Sequence, residues 1–219
     1  MKAYWEDNTK YYKYVYTDWS QPTLTSNGTF GGNSMAVTIT FGGTTSHDDV
    51  ANTYKIFKPN TDRVGFYCNE YQSWMEVHIY LPKPTKLTTL TFLPVYVGSS
   101  SGGSYNTKFY GGSYMGTKEN LIINIGTVAE NTTYNNTNLP TNDYYQYYTL
   151  FCNNGGRSYE DALHLKNVYI SGQARTVTEG TPIDYDYKVL AGKTFLVKEN
   201  DIYKAIKTYE KGQYYGGNN

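Results

Sequence analysis

Apolar and polar residues alternate along much of this chain. Met75, Val77, Ile79 and Leu81 are spaced by two, as are Leu121, Ile123 and Ile125, and a period of two places successive side chains on opposite faces of a strand. The most informative block runs from Tyr54 to Phe92. It holds an aromatic turn at Tyr54–Lys58, a tryptophan-led strand over Met75–Leu81, a Pro-bounded bend at Pro84, and a second alternating strand over Leu87–Phe92. That rhythm predicts an antiparallel sandwich. Further strands are predicted at Met35–Ile39, Leu121–Ile125, Tyr144–Phe151 and Leu163–Ile170. Residues 98–103, Gly111-Gly112, residues 131–142 and residues 153–156 read as the loops between them, because Gly, Asn and Ser interrupt pairing and form turns. Trp74 heads its strand and reads as a core anchor. Helix signals are almost absent between Trp19 and Arg175.

The two ends have another texture. Residues 1–18 are a Tyr- and Lys-rich arm (Lys10-Tyr11-Tyr12-Lys13-Tyr14-Val15-Tyr16) expected to add a strand to something else. Residues 19–175 form the main β-domain, and residues 176–219 a small C-terminal extension. Within the extension, Ile202, Ala205, Ile206 and Tyr209 fit helical spacing, while residues 194–197 and 202–206 around Glu199-Asn200 fit a hairpin. Both readings stay open at this level, the hairpin favoured because both arms are β-branched and aromatic.

Composition narrows the chemistry. The 219 residues carry 19 basic and 19 acidic side chains, so no bulk field draws nucleic acid or an anionic membrane. The 26 tyrosines and 21 glycines suit half-buried strands and tight turns. No apolar run reaches the ~18 residues of a membrane span, and the first residues lack the apolar stretch of a secretory signal. Cys68 and Cys152 show neither CxxC spacing nor a neighbouring His, which points to free thiols rather than a metal or redox motif.

The order and spacing of these motifs from about Trp19 to Arg175 resemble the discoidin, or F5/8 type C, family of galactose-binding-like domains. Asn52-Thr53-Tyr54-Lys55-Ile56-Phe57-Lys58-Pro59-Asn60 is similar to that family's aromatic turn, and Trp74–Leu81 and Lys86–Phe92 to its Trp-led strand and the next. Tyr144–Phe151 is similar to its tyrosine-rich strand, and Leu163–Gly172 to its closing strand. The opening from Gln21 to Ser34 resembles the variant seen in tail, baseplate and fibre proteins of bacteriophages. The resemblance implies an antiparallel jelly-roll β-sandwich and a non-enzymatic virion protein, made in the host cytoplasm. Its implied partners are other virion proteins and a cell-surface glycan, and it would work as a homo-oligomer or multi-copy assembly without nucleic acid or membrane insertion. A second expectation is a structural adaptor whose arms join neighbouring subunits without any ligand. A third is a carbohydrate-binding module once attached to a hydrolase.

Family ligands sit on loops at one end of the barrel, which by position nominates Arg63, Phe66, Tyr67, Asn69, Tyr71 and Gln72, with Glu70 beside them, for carbohydrate. The competing reading is a solvated loop with Phe66 and Tyr67 tucked into the core. Where the family holds structural calcium in an Asp-Gly-Asn turn, this chain has Lys58-Pro59-Asn60. The Lys58 ammonium opposes a hard cation, so no cofactor is expected. Catalysis is not expected either. The nucleophile-elbow string Gly98-Ser99-Ser100-Ser101-Gly102 lies in a Ser/Gly turn with no helix after it, and His47, His78 and His164 show no metal spacing. Alternation along a strand would let at most half of the tyrosines in the run 144–148 share one surface.

Overall fold

The computed structural model describes residues 11–42, 44–48, 50–59, 63–68, 74–95, 104–153, 162–180, 194–199 and 202–207. Its strands are β1 (Tyr11–Ser20), β2 (Ala36–Gly42), β3 (Thr44–Asp48), β4 (Val64–Cys68), β5 (Trp74–Val95), β6 (Ser104–Gly112), β7 (Asn120–Ala129), β8 (Tyr134–Asn136), β9 (Tyr145–Asn153), β10 (Ala162–Gly180), β11 (Thr194–Glu199) and β12 (Ile202–Lys207). A 3-10 segment spans Val50–Phe57 and is kinked at Asn52. Every strand pairing with a defined register is antiparallel.

The chain divides into two compact units, residues 17–175 and residues 1–16 with 176–219. In the smaller unit, Tyr11 and Tyr12 of β1 pair with Val197 and Leu196 of β11. β11 and β12 pair from Thr194–Lys207 to Glu199–Ile202, so the segment left open between helix and hairpin is a hairpin. The arm meets a strand of its own chain.

The larger unit is all-β and sandwich-like, and β5 is its axis. The first half of β5, Trp74–Tyr80, pairs with β2 on one side and β9 on the other. The second half, Thr85–Val95, pairs with β10, and Leu90–Phe92 also pair with β8. One ribbon therefore runs β2-β5-β9-β6-β7 and the other β3-β4-β10-β5-β8, with β5 crossing between them. Both contribute to one apolar cluster that includes Met75, Val77, Ile79, Leu87, Leu90, Phe92, Phe109, Leu150 and Ile170. Tyr148 is fully buried within it, its ring stacked on Phe109 at 5.5 Å.

Three expectations change here. The strands over Met75–Leu81 and Leu87–Phe92 are a single element of 22 residues. The bend is a register shift between Tyr80 and Thr85, where Pro82 and Pro84 lack N–H groups for the ladder. The Gln146 amide supplies donors instead, to the carbonyls of Leu81 at 3.4 Å and Pro82 at 3.3 Å. Trp74 is half-buried and outside the core cluster. It shares parity with Glu76, His78 and Tyr80 rather than with Met75 and Val77, and its indole lies where a Cβ on Gly42 would fall. Gly111 and Gly112 are the end of β6 rather than a loop.

The 3-10 segment, part of the aromatic turn read from the sequence, is stapled by two amides. Asn27 Oδ1 accepts from the Tyr54 N–H at 2.8 Å while Asn27 Nδ2 donates to the Ala51 carbonyl at 2.9 Å. Gln21 Nε2 donates to the carbonyls of Phe57 and Val168, and Gln21 Oε1 accepts from the Ile170 N–H. A single side chain thus ties this segment to β10. Cys152 is a buried free thiol whose pKa burial pushes up to about 12; Cys68 has no described side chain. His78 and His164 are both buried within strands.

Candidate functional site

The β6–β7 connection and the start of β9 enclose a shallow cleft of about 360 Å³. Two glycines shape it, Gly112 in its lining and Gly111 next to it in sequence. A Cβ on Gly111 would fall into the Tyr145 ring, and one on Gly112 would strike Thr117 Oγ1 and Glu119 Oε2. Only glycine lets the aromatic ring and the carboxylate close over the backbone here.

Tyr144, Tyr145, Gln146 and Tyr147 supply one side of the cleft, with Pro84 of β5 beside them. Each side chain is positioned. Tyr145 stands edge-on to Tyr148 at 5.9 Å, and Tyr147 packs on Tyr80 at 5.2 Å. Tyr144 donates to Gln173 Oε1 at 2.6 Å and carries the Arg175 guanidinium 4.7 Å above its ring. The alternation argument allowed half of these tyrosines one surface. Three of the four, Tyr144, Tyr145 and Tyr147, line the cleft: Tyr145 and Tyr147 share one parity of β9, as alternation allows, and Tyr144 joins them from just before the strand. Only Tyr148 turns into the core.

Ser113, Glu119 and Asn120 form the other side. Glu119 Oε2 accepts from the Ser113 N–H at 2.7 Å and Glu119 Oε1 from the Ser113 hydroxyl at 2.9 Å, with the Thr117 hydroxyl 3.3 Å from Oε2. The Ser113 backbone donor, then its hydroxyl, hold the Glu119 carboxyl below its ordinary pKa, outweighing burial. Asn120 Nδ2 donates to the Gly111 carbonyl at 3.4 Å. Tyr145 donates weakly to Asp143 Oδ2 at 3.4 Å. Burial, followed by Asp143 and then Glu119, raises the Tyr145 phenol.

The connection is anchored beyond the cleft. Lys118 Nζ lies 2.5 Å from Glu76 Oε1 and 4.9 Å from the Phe151 ring centroid, and Gly116, at φ +75°, packs against the His78 ring. His78 Nε2 meets Glu76 Oε2 at 2.9 Å. Burial alone would raise the Glu76 carboxyl, but hydrogen bonds from His78 and Lys118 with their charge bring it below its ordinary value. His78 Nδ1 and Thr149 Oγ1, on paired residues, are buried without a hydrogen-bond partner.

Chemically, the cleft offers ring faces beside planar amide and carboxylate groups, the combination that stacks on a pyranose and meets its hydroxyls. Among the described residues, no group of three His, Cys, Asp or Glu side chains could hold a metal ion. Of the residues nominated from the resemblance, Arg63 is half-buried just before β4, and Phe66 and Tyr67 lie on β4, paired with His47 and Ser46 of β3. Asn69, Tyr71 and Gln72, with Glu70, fall outside the described residues, as does the string 98–102. The tyrosines and Gly112 lay in motifs that the sequence displayed, whereas Ser113, Glu119 and Asn120 belonged to none. Their meeting depends on the pairing of Gly111 with Tyr148 and of Gly112 with Tyr147, which no local pattern announces. No protein-family model matches the chain, and no curated protein matches it.

Proposed function

We propose that this protein is a non-enzymatic glycan-binding component of a bacteriophage particle, built on a jelly-roll β-sandwich and used for attachment to a cell surface. The observation that carries the binding reading is the cleft, where three fixed tyrosines and Gln146 share the lining with Glu119 and Gly112. The virion setting rests on the resemblance of Gln21–Ser34 and of the Tyr-rich ends to phage tail and fibre proteins. A shallow single site of this kind gives a Kd near ~1 mM, about −4 kcal/mol, so useful attachment needs many copies.

Glycan-array binding followed by titration is the test. Saturable binding to particular glycans should weaken at least ~10-fold in Tyr145→Ala, in line with the loss of a stacked aromatic face. Wild-type circular dichroism should be retained in that variant. Arrays that remain blank at millimolar ligand, or release of reducing ends from any bound oligosaccharide, would overthrow the reading. The ligand-free adaptor is the second reading, although the pairing of β1 with β11 engages the arm within its own chain rather than with a neighbour. It predicts blank arrays together with assembly that fails when residues 1–16 are removed.

A further inference from the structure

Resting on the glycan-binding reading, we infer that the cleft selects sugars carrying a free, protonated amine over neutral sugars, and disfavours uronates, sialates and phosphorylated sugars. The charge inventory decides this. Glu119 is the one charged residue among those lining the cleft. Its carboxylate is held ionised by Ser113 and Thr117, whose groups donate hydrogen bonds but bring no positive charge. Asp143 Oδ2 accepts from the Tyr145 hydroxyl at 3.4 Å, and Glu119 also acts on this phenol, so it lies in the field of two carboxylates.

The nearby cations do not line the cleft. Lys118 is engaged by Glu76 and Phe151, Arg175 caps the Tyr144 ring, and Lys83 and Lys86 flank the Pro84 stretch outside the lining. A ligand seated on Tyr145 and Tyr147 therefore meets negative charge with no counter-ion in the lining. An ammonium on the sugar gains from the Glu119 carboxylate and from the electron-rich ring faces. An acidic sugar is repelled by the same groups and finds no cation in the lining to pair with.

Because Glu119 is solvent-exposed and its field is screened by salt, the gain is modest. It amounts to roughly 10-fold for an amine over its N-acetylated counterpart at low ionic strength, shrinking as salt is added.

The experiment titrates the full chain at about pH 6, where a sugar amine is protonated, with three probes of equal length: glucosamine, N-acetylglucosamine and galacturonate oligomers. The expected order is amine, then N-acetyl, then acid, with binding of all three lost in Tyr145→Ala. Glu119→Gln should bring the amine and N-acetyl affinities within roughly 3-fold of each other while leaving the unfolding midpoint near wild type.

Equal affinities in the wild type, tighter binding of the acidic oligomer, or an amine preference unchanged in Glu119→Gln would overturn the selectivity while leaving glycan binding standing. Amine binding that survives Tyr145→Ala would mark it as general attraction to surface carboxylates and overturn it too. Absence of binding by all three probes, together with a blank array, would remove both this inference and the function on which it rests.

Discussion

The two halves of β5 are built from similar alternating sequence and live in different surroundings. From Met75 to Leu81 every residue is buried, Glu76 and His78 along with Val77 and Ile79. From Leu87 onward burial is intermittent and changes phase at the register shift by Thr88 and Thr89, with Leu87, Leu90 and Phe92 inside and Thr88, Thr89 and Thr91 only half-covered. The difference comes from what lies on the outer face. The first half is roofed by the β6–β7 connection, through Gly116 on His78 and Lys118 on Glu76. A roof over a sheet face changes what that face can hold. Polar groups there must find partners inside the protein, and the roof, once anchored, carries Ser113 and Glu119 to the side of the cleft. The cleft sits where the halves join, beside Pro84.

If both halves feed one core, truncating either should cost about the same despite the difference outside. Ile79→Ala and Leu90→Ala each remove a fully buried side chain and should each destabilise by about 2–5 kcal/mol. Urea unfolding followed by tryptophan fluorescence measures this. A near-neutral result at either position would mean that the shared core is wrong and that the halves belong to separate cores.

The joint itself is held by Tyr148, whose hydroxyl donates to the Thr85 carbonyl in the shift between the halves. Tyr148→Phe keeps the stack on Phe109 and removes this donor from a buried carbonyl, a cost of about 0.5–1.5 kcal/mol. Tyr145 packs edge-on to the same ring, so loosening should also reach the cleft. Amide exchange should rise first around Thr85 and Tyr145. Uniform acceleration across the larger unit would show that Tyr148 serves the whole core rather than the joint.

The sequence made the alternation legible and hid the enclosure. Met75, Val77, Ile79 and Leu81 announced a strand with one apolar face, and the antiparallel, all-β character followed from that period. The same period places Glu76 and His78 on the face opposite Met75 and Val77, and nothing in their spacing tells of a connection 40 residues later folding over them. Trp74 was read as core because tryptophan is usually buried, whereas its parity put it with Glu76. The tyrosine run was visible as a possible binding surface, but nothing in it tells that Tyr144, just outside β9, joins Tyr145 and Tyr147 beside Pro84, Ser113 and Glu119. Local spacing reports a strand's period; only pairing reports what stands above it.

Acid titration gives the finest test of the roof. Glu76 has its folded-state pKa depressed by His78 and Lys118, so the unfolded chain binds this proton more readily. The stabilisation is present above the unfolded-state value of about 4.3 and is lost as pH falls through the lower folded-state value. At neutral pH, Glu76→Gln should lower stability by only about 0.5–1 kcal/mol, a small figure because Lys118 is half-exposed and its pair is partly screened. On acidification below about pH 4.3 the wild type loses the same contribution, and the two stability curves should converge. Glu119, also depressed, titrates in both proteins and cancels in the difference. A gap that persists undiminished to low pH would mean that the glutamate acts through packing rather than charge, and the Lys118 anchor would lose its electrostatic basis.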